Sequence, residues 1–266
     1  MRHALELEIQ PQPTDSSCGP TCLAAVYQYW NDPVELNDLI EEVGRLGSGG
    51  TMAVQLACHG LSRGYRAVIN TYNLQLFDPT WFAATGTAES DLLAAKLRQQ
   101  LVSKGQRTDL DQDRLRVSTQ SYLRFLSLGG QVQMRPLDEQ LIVQSLTQGI
   151  PLLCGLSATY LYQECRERSH AVDRHGISST QDDIAGEPTG HFVVLHGYDH
   201  HSGQVFIADP LHPNPLAPTG KYAAPLSQVA ASIHLGILTY DANLLALTPS
   251  GEATEATNTP RAAPRR

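Results

Sequence analysis

Clustered positive charge, long apolar runs and an even set of cysteines are all missing from this chain, and each absence removes a class of function. Lys and Arg together number 19 against 27 Asp and Glu, a net charge of -8. Binding to a phosphate backbone calls for grouped Lys and Arg, so no nucleic-acid partner is expected. Polybasic membrane attachment is disfavoured for the same reason. No stretch of about 18 apolar residues occurs, so no transmembrane helix and no membrane partner are expected. Glu6 and Glu8 interrupt the first residues, which excludes a secretory signal there. The alternation of Leu5, Leu7 and Ile9 predicts a short strand instead. Cysteines number five, at Cys18, Cys22, Cys58, Cys154 and Cys165. An odd count in a chain of this size argues against a disulfide framework and for reduced thiols, as in a bacterial, cytoplasmic protein. Gly47 to Gly50 is not followed by Gly-Lys-Ser/Thr, so it is no phosphate loop. Cys165, His170 and His175 lack the two clean ligand pairs of a zinc site. No metal and no cofactor are expected, and no internal repeat is present.

With 266 residues and 41% hydrophobic content the chain can build one sizeable core, or one core split into two lobes. Its first half carries helical periods. Cys22, Leu23, Val26, Tyr27 and Trp30 share one face over 20–30, and Leu36, Leu39, Ile40 and Val43 another over 35–43. Gly47-Ser48-Gly49-Gly50 reads as a turn lining a cleft, with Thr51 as N-cap of a third helix ending near Gly60 or Gly64. Ser90 to Lys104 and Ser118 to Leu128 read as two more. The second half changes character: a strand at 131–135, a helix at 138–147, then strands at 150–156, 190–197 and 204–208 and two runs between 235 and 247. Helices first and strands later predict an α+β fold with segregated layers. The expected organisation is a single domain over 1–248, with a helical lobe at about 13–130 and a C-terminal antiparallel sheet lobe at about 131–248. Residues 163–188 read as a polar surface insertion. The tail, 249–266, has little to bury and is expected to be disordered. Arg166, Arg168 and Arg174 in the insertion read as part of a solvated loop.

The chemistry centres on Gln12-Pro13-Thr14-Asp15-Ser16-Ser17-Cys18-Gly19-Pro20. Proline is tolerated only in a helix's first turn, so Pro20 places Cys18 at a helix start. The free N–H groups and positive dipole end there favour a thiolate, which makes Cys18 the candidate nucleophile. Gly19 lets the backbone approach a substrate carbonyl. Cys22, one turn on and on the apolar face, reads as core. His191 opens the run His-Phe-Val-Val-Leu-His and is the candidate base, because an imidazole that pairs with a thiolate needs a rigid mount. His196, five residues on, projects to the opposite face. Asp209 ends the next strand and can reach a histidine at the start of its hairpin neighbour, whereas Asp199 lies in the turn at the far end. Gly190, heading the histidine strand, joins Gly19, Gly49 and Gly50 as candidate substrate-contacting positions.

Taken together, these segments resemble the bacteriocin-processing, double-glycine-leader family of cysteine peptidases, family thirty-nine, and its stand-alone branch. The shared pattern is a Gln (here Gln12), then Cys18-Gly19-Pro20 opening a helix, a His191 to Val194 strand, a Gly197-Tyr198-Asp199 turn and Asp209-Pro210. Gly50-Thr51 before a helix with Ala57 and Gly60 resembles the family's third-helix region. The resemblance covers roughly 8–65 and 150–212. It implies a papain-like (clan CA) fold and a peptide substrate. It also implies that the Gln12 side chain, with the Cys18 N–H, holds the oxyanion. Transporter-linked members carry a membrane domain and an ATPase that this chain does not show, and 72–130 and 163–188 exceed a minimal peptidase domain, so leader specificity does not carry over. The sequence-level expectation is a cytoplasmic thiol protease or amide hydrolase. An acyltransferase using the same cysteine, or a non-catalytic peptide-binding relative, are the alternatives.

Overall fold

The computed structural model describes residues 2–43, 50–171, 179–239 and 241–250. Gly49, Arg174, His175 and residues 251–266 of the tail lie outside the described residues. In chain order the elements are β1 (Arg2–Ala4), α1 (Cys18–Tyr29), α2 (Leu36–Val43), α3 (Ala53–Ser62), β2 (Tyr65–Thr71), α4 (Ser90–Lys104), α5 (Gln112–Ser127), β3 (Gln131–Gln133), α6 (Glu139–Thr147), β4 (Leu152–Ser157), α7 (Ala158–Tyr162), β5 (Glu167–Ser169), β6 (Ser179–Gln181), β7 (Gly190–Asp199), β8 (Gln204–Ala208), β9 (Lys221–Pro225), α8 (Leu226–Leu235) and β10 (Asn243–Pro249). The fold is α+β. One sheet runs β3-β2-β10-β4-β7-β8-β9, with β1 added to β7, and it is antiparallel except where β2 meets β3. No helix among the described residues is long and apolar enough to cross a membrane.

Alternation along the strands builds a core on each face of this sheet. Phe192 and Val194 of β7, Leu153 of β4 and Leu245 and Leu247 of β10 pack with α1, α3, α4 and α5. Their neighbours Val193 and Leu195, Cys154 and Leu156, and Leu244 pack with α6, α7 and α8. The strands are therefore buried on both sides, which is why they read as near-continuous apolar runs rather than as alternations. Of this second helical layer the sequence marks only α6, predicted at 138–147; α7 and α8 carry no clear period of their own. β2 joins the sheet from within the first half of the chain, which the sequence reads as helical.

Several local expectations shift. Burial alternates through Leu5, Leu7 and Ile9 as predicted, but the paired strand is Arg2–Ala4, opposite Gly197 to Asp199. The Leu7 N–H turns back to the Leu5 carbonyl and takes the chain off the sheet. The third helix is capped not by Thr51 but from afar: the Ala53 N–H donates to Asp241 Oδ2 at 2.6 Å, while Thr51 Oγ1 is buried without a partner. α5 starts at Gln112, because the Asp111 side chain accepts the Arg114 N–H and caps it. Of the two runs between 235 and 247 only β10 is a strand; Gly236–Thr239 is a 3-10 turn. The 163–188 insertion contains the small β5–β6 hairpin.

Candidate active site

α1 begins at Cys18 with Pro20 inside its first turn, as the sequence requires. Its start is held by Ser17 and Thr14: the Thr14 N–H donates to Ser17 Oγ at 3.0 Å, and Ser17 Oγ donates to the Thr14 carbonyl at 2.8 Å. Ser17 is thus engaged with the loop, and no side chain caps the helix. The positive end of the helix is left for the Cys18 thiol. Gly19 allows α1 to lie directly on the sheet, since a Cβ there would stand 3.3 Å from both Leu56 and Phe192. A side chain at this position would press on α3 and β7, whose residues would have to yield by a few tenths of an ångström. One turn on, the Cys22 thiol donates to the Phe192 carbonyl at 3.2 Å, which fixes α1 against β7. Burial pushes that thiol well up, as it does for Cys154, and raises Cys58 to about 11. Of the remaining cysteines, Cys18 is buried and Cys165 exposed.

His191 sits at the head of β7, paired with Leu156 of β4. It touches both cores: its ring lies 6.0 Å from that of Tyr162 on α7, and the Cys18 thiol of α1 is close enough to interact with it electrostatically. Nε2–H donates to Asp209 Oδ1 at 2.8 Å, which leaves Nδ1 for the thiol. Both members of that ion pair are buried, His191 at 7% and Asp209 at 2% exposure. Burial opposes a charged imidazole, but the Asp209 carboxylate and its hydrogen bond outweigh it, and the His191 value rises well above 6.5. Burial likewise opposes ionisation of Asp209. His191, the Leu211 N–H and the Tyr222 hydroxyl outweigh that, and its value falls below 3.8.

The register brings together Cys18, His191 and Asp209 and leaves the rivals elsewhere. Asp199 accepts the His201 N–H in the exposed turn at the other end of β7. His196 falls at a register break between Leu195 and Gly197, and its Nδ1–H donates to the Leu5 carbonyl. Burial lowers its value, and its ring bond to the Leu5 carbonyl gives it a structural place away from Cys18. Gln12 is tied beside Asp209, because its backbone N–H donates to the Pro210 carbonyl at 2.8 Å. Its side-chain Nε2 donates one hydrogen to the Thr14 carbonyl at 3.0 Å, and Oε1 is buried without a partner. Gly50 has φ +76 and open space at its Cβ position. Gly190 is exposed, and a Cβ there would meet the Thr239 hydroxyl at 2.8 Å.

Two site residues escaped the sequence reading. The hydroxyls of Tyr162 and Tyr222 both donate to Asp209 Oδ2, each at 2.7 Å. No local pattern marks either tyrosine. Tyr222 lies on β9 opposite Ile207, two residues before Asp209, and that register alone places it on the carboxylate's face.

Residues 112–230 match the family model described as "Peptidase_C39 like family". The match spans His191 and Asp209 and begins after Cys18, so the resemblance read from the sequence holds over its second segment. No curated protein matches the chain. Among solved structures, a C39-like peptidase from Bacillus anthracis, so described, superposes with a TM-score of 0.48 at 14% identity over 94% of this chain and 98% of its own. A double glycine motif protease from an AMS/PCAT transporter, in complex with the leader peptide, gives a TM-score of 0.41 at 13% identity over 93% and 95%.

Proposed function

We propose that this chain, which carries a C39-like peptidase segment over 112–230, is a cysteine peptidase or amide hydrolase with Cys18 as nucleophile, His191 as general base and acid, and Asp209 as orienting carboxylate. The observation that carries the reading is the convergence of three side chains: a thiol at an uncapped helix start, an imidazole within electrostatic reach of it, and the buried carboxylate that the imidazole donates to. Such a line does acyl transfer. The thiolate attacks the peptide carbonyl, the carbonyl oxygen takes the negative charge, and the imidazolium protonates the departing amine. The freed imidazole then draws a proton from water, whose attack on the thioester releases the acid and the thiol. The proximity of Gln12 to the Asp209–Pro210 corner and its second Nε2 hydrogen support it as oxyanion donor alongside the Cys18 N–H. A peptide is the proposed substrate.

The test is a mixed library of short peptides carrying an aminocoumarin leaving group, combined with brief iodoacetamide treatment and peptide mapping. Coumarin release that stops in step with alkylation of Cys18, and alkylation that slows in His191→Ala, is the expected result. Labelling confined to exposed Cys165 with release unaffected removes Cys18 as nucleophile. Product masses recorded with and without an added amine separate hydrolysis from transfer to the amine.

Gln12→Ala should lower kcat about 10²–10³-fold with little change in KM, because an oxyanion donor acts only as charge develops. Gln12→Glu should be worse than alanine, since a carboxylate repels the forming oxyanion. Gln10→Ala is the matched control, and a crippled Gln10 variant beside a normal Gln12 variant reverses the assignment.

A further inference from the structure

Asp209 is unusually well held for a group whose only proposed task is to face one histidine. Its Oδ1 accepts the His191 Nε2–H at 2.8 Å and the Leu211 N–H at 3.0 Å. Its Oδ2 accepts the Tyr162 and Tyr222 hydroxyls, both at 2.7 Å. A carboxylate offers about four lone-pair directions, and here all four are filled. The donors arrive from four places: β7, the chain after β8, the last residue of α7, and β9. Rotation about the Cβ–carboxyl bond would break several of them at once. Protonation of Asp209 at Oδ2 would cost both phenol donations as they stand, since the hydroxyls would have to turn to accept the new hydrogen. Besides these, Cys18 faces His191 from α1, and Cys22 of the same helix lies within electrostatic reach of the carboxylate.

We propose that Tyr162 and Tyr222 are positioning residues: together they lock the Asp209 carboxylate in one orientation and keep it ionised, so that His191 always faces Cys18 through the same nitrogen. This rests on the reading of Cys18, His191 and Asp209 as the reacting line. The phenols touch neither the thiol nor a substrate carbonyl in this scheme; they act through Asp209. A simple packing role is a poor account of them, because a phenylalanine at either place fills nearly the same volume and asks for no partner. Two hydroxyls aimed at one buried carboxylate oxygen point to control of that oxygen's charge and direction.

The two roles separate in the pH dependence of Cys18 alkylation by iodoacetamide, which needs no known substrate. In the unaltered protein Cys18 should alkylate faster than in His191→Ala, because the imidazole takes up the thiol proton. If His191→Ala alkylates as fast as the unaltered protein, the catalytic reading itself fails. Given that dependence on His191, Tyr162→Phe/Tyr222→Phe should move the acid limb of the alkylation profile upward by about one to two pH units. Without its two phenol donors the buried carboxylate takes up a proton earlier, and the imidazolium then loses its partner. Each single variant should fall between. An acid limb unmoved in variants that melt cooperatively overturns the proposal while leaving the triad intact. If the double variant does not fold, Tyr222→Phe carries the decision, since Tyr222 is the less buried of the two.

Discussion

Cys18→Ala and His191→Ala should each lower turnover by about 10⁵–10⁶-fold, and the double variant should be no worse than either alone. The reason is that the two side chains form one reacting unit. The imidazole interacts electrostatically with the thiol on one side and is hydrogen-bonded to Asp209 on the other. Without the thiol there is nothing for the base to activate. Without the base the thiol lacks an acceptor for its proton and the leaving amine lacks an acid. Residual activity then comes only from binding and from the oxyanion donors, which neither substitution touches. Measured kcat/KM for the three variants on one coumarin peptide gives the answer. Additive losses, or a His191 variant within tenfold of the unaltered enzyme, would sink the triad. Cys18→Ala should also fold normally, because the thiol is no helix cap and alanine is compatible with the first turn.

Asp209 separates charge from geometry. Asp209→Ala should cost about 10³–10⁴-fold in kcat, near the range for an orienting carboxylate, and should destabilise the fold because it strands two buried phenols and the Leu211 N–H. Asp209→Asn should cost less, about 10–10²-fold. Its oxygen can keep both bonds made by Oδ1, and its amide can donate to the phenols, whose hydroxyls rotate to accept. What asparagine cannot supply is the negative charge. His191 is held above its ordinary value of 6.5 mainly against burial by that charge, so the alkaline limb of the rate profile should fall toward 6.5 or below in Asp209→Asn. The signs for stability follow. Asp209, with its value lowered, stabilises the fold above the unfolded carboxylate value of 3.8, and this is lost as pH falls through its depressed folded value. His191, with its value raised, stabilises below 6.5, and this is lost as pH rises through its elevated folded value. Thermal unfolding measured across pH should therefore show a plateau between the two limbs, and in Asp209→Asn both limbs should flatten, because residue 209 no longer titrates and His191 loses its upward shift. A full-rate Asp209→Asn with an unmoved alkaline limb would return the role to geometry alone.

The parts of the site that the sequence announces are those whose position is set by neighbours along the chain. Pro20 fixes the helix start and with it Cys18. The apolar run after His191 fixes a strand, and a hairpin of a few residues fixes which end of β8 meets which end of β7. The parts it hides are delivered by distant segments. Tyr162 ends a one-turn helix just ahead of what looks like a polar insertion. Tyr222 lies in Lys-Tyr-Ala-Ala-Pro, a strand of weak intrinsic preference that exists because β8 offers it an edge. Asp241 caps a helix 188 positions earlier in the chain. β2 is hidden for a related reason: it follows directly on the Gly64 helix stop, and Tyr65 to Thr71 becomes a strand through pairing with β10.

That last pairing has a consequence for how the molecule comes into being. β10 stands between β2 and β4, bonded to Tyr65 through Thr71 on one side and to Leu152 through Gly155 on the other. During synthesis both of those strands emerge long before the segment that joins them. While a ribosome has released the chain only to residue 242, β2 and β4 each expose an edge whose partner does not yet exist, and such edges recruit other strands. The central ladder can form only after residues 243–249 are free, and contacts of this sequence separation are slow to close. Nascent chains of this protein therefore pass through a window in which a chaperone, or a strand from a neighbouring chain, competes with β10 for the same seat.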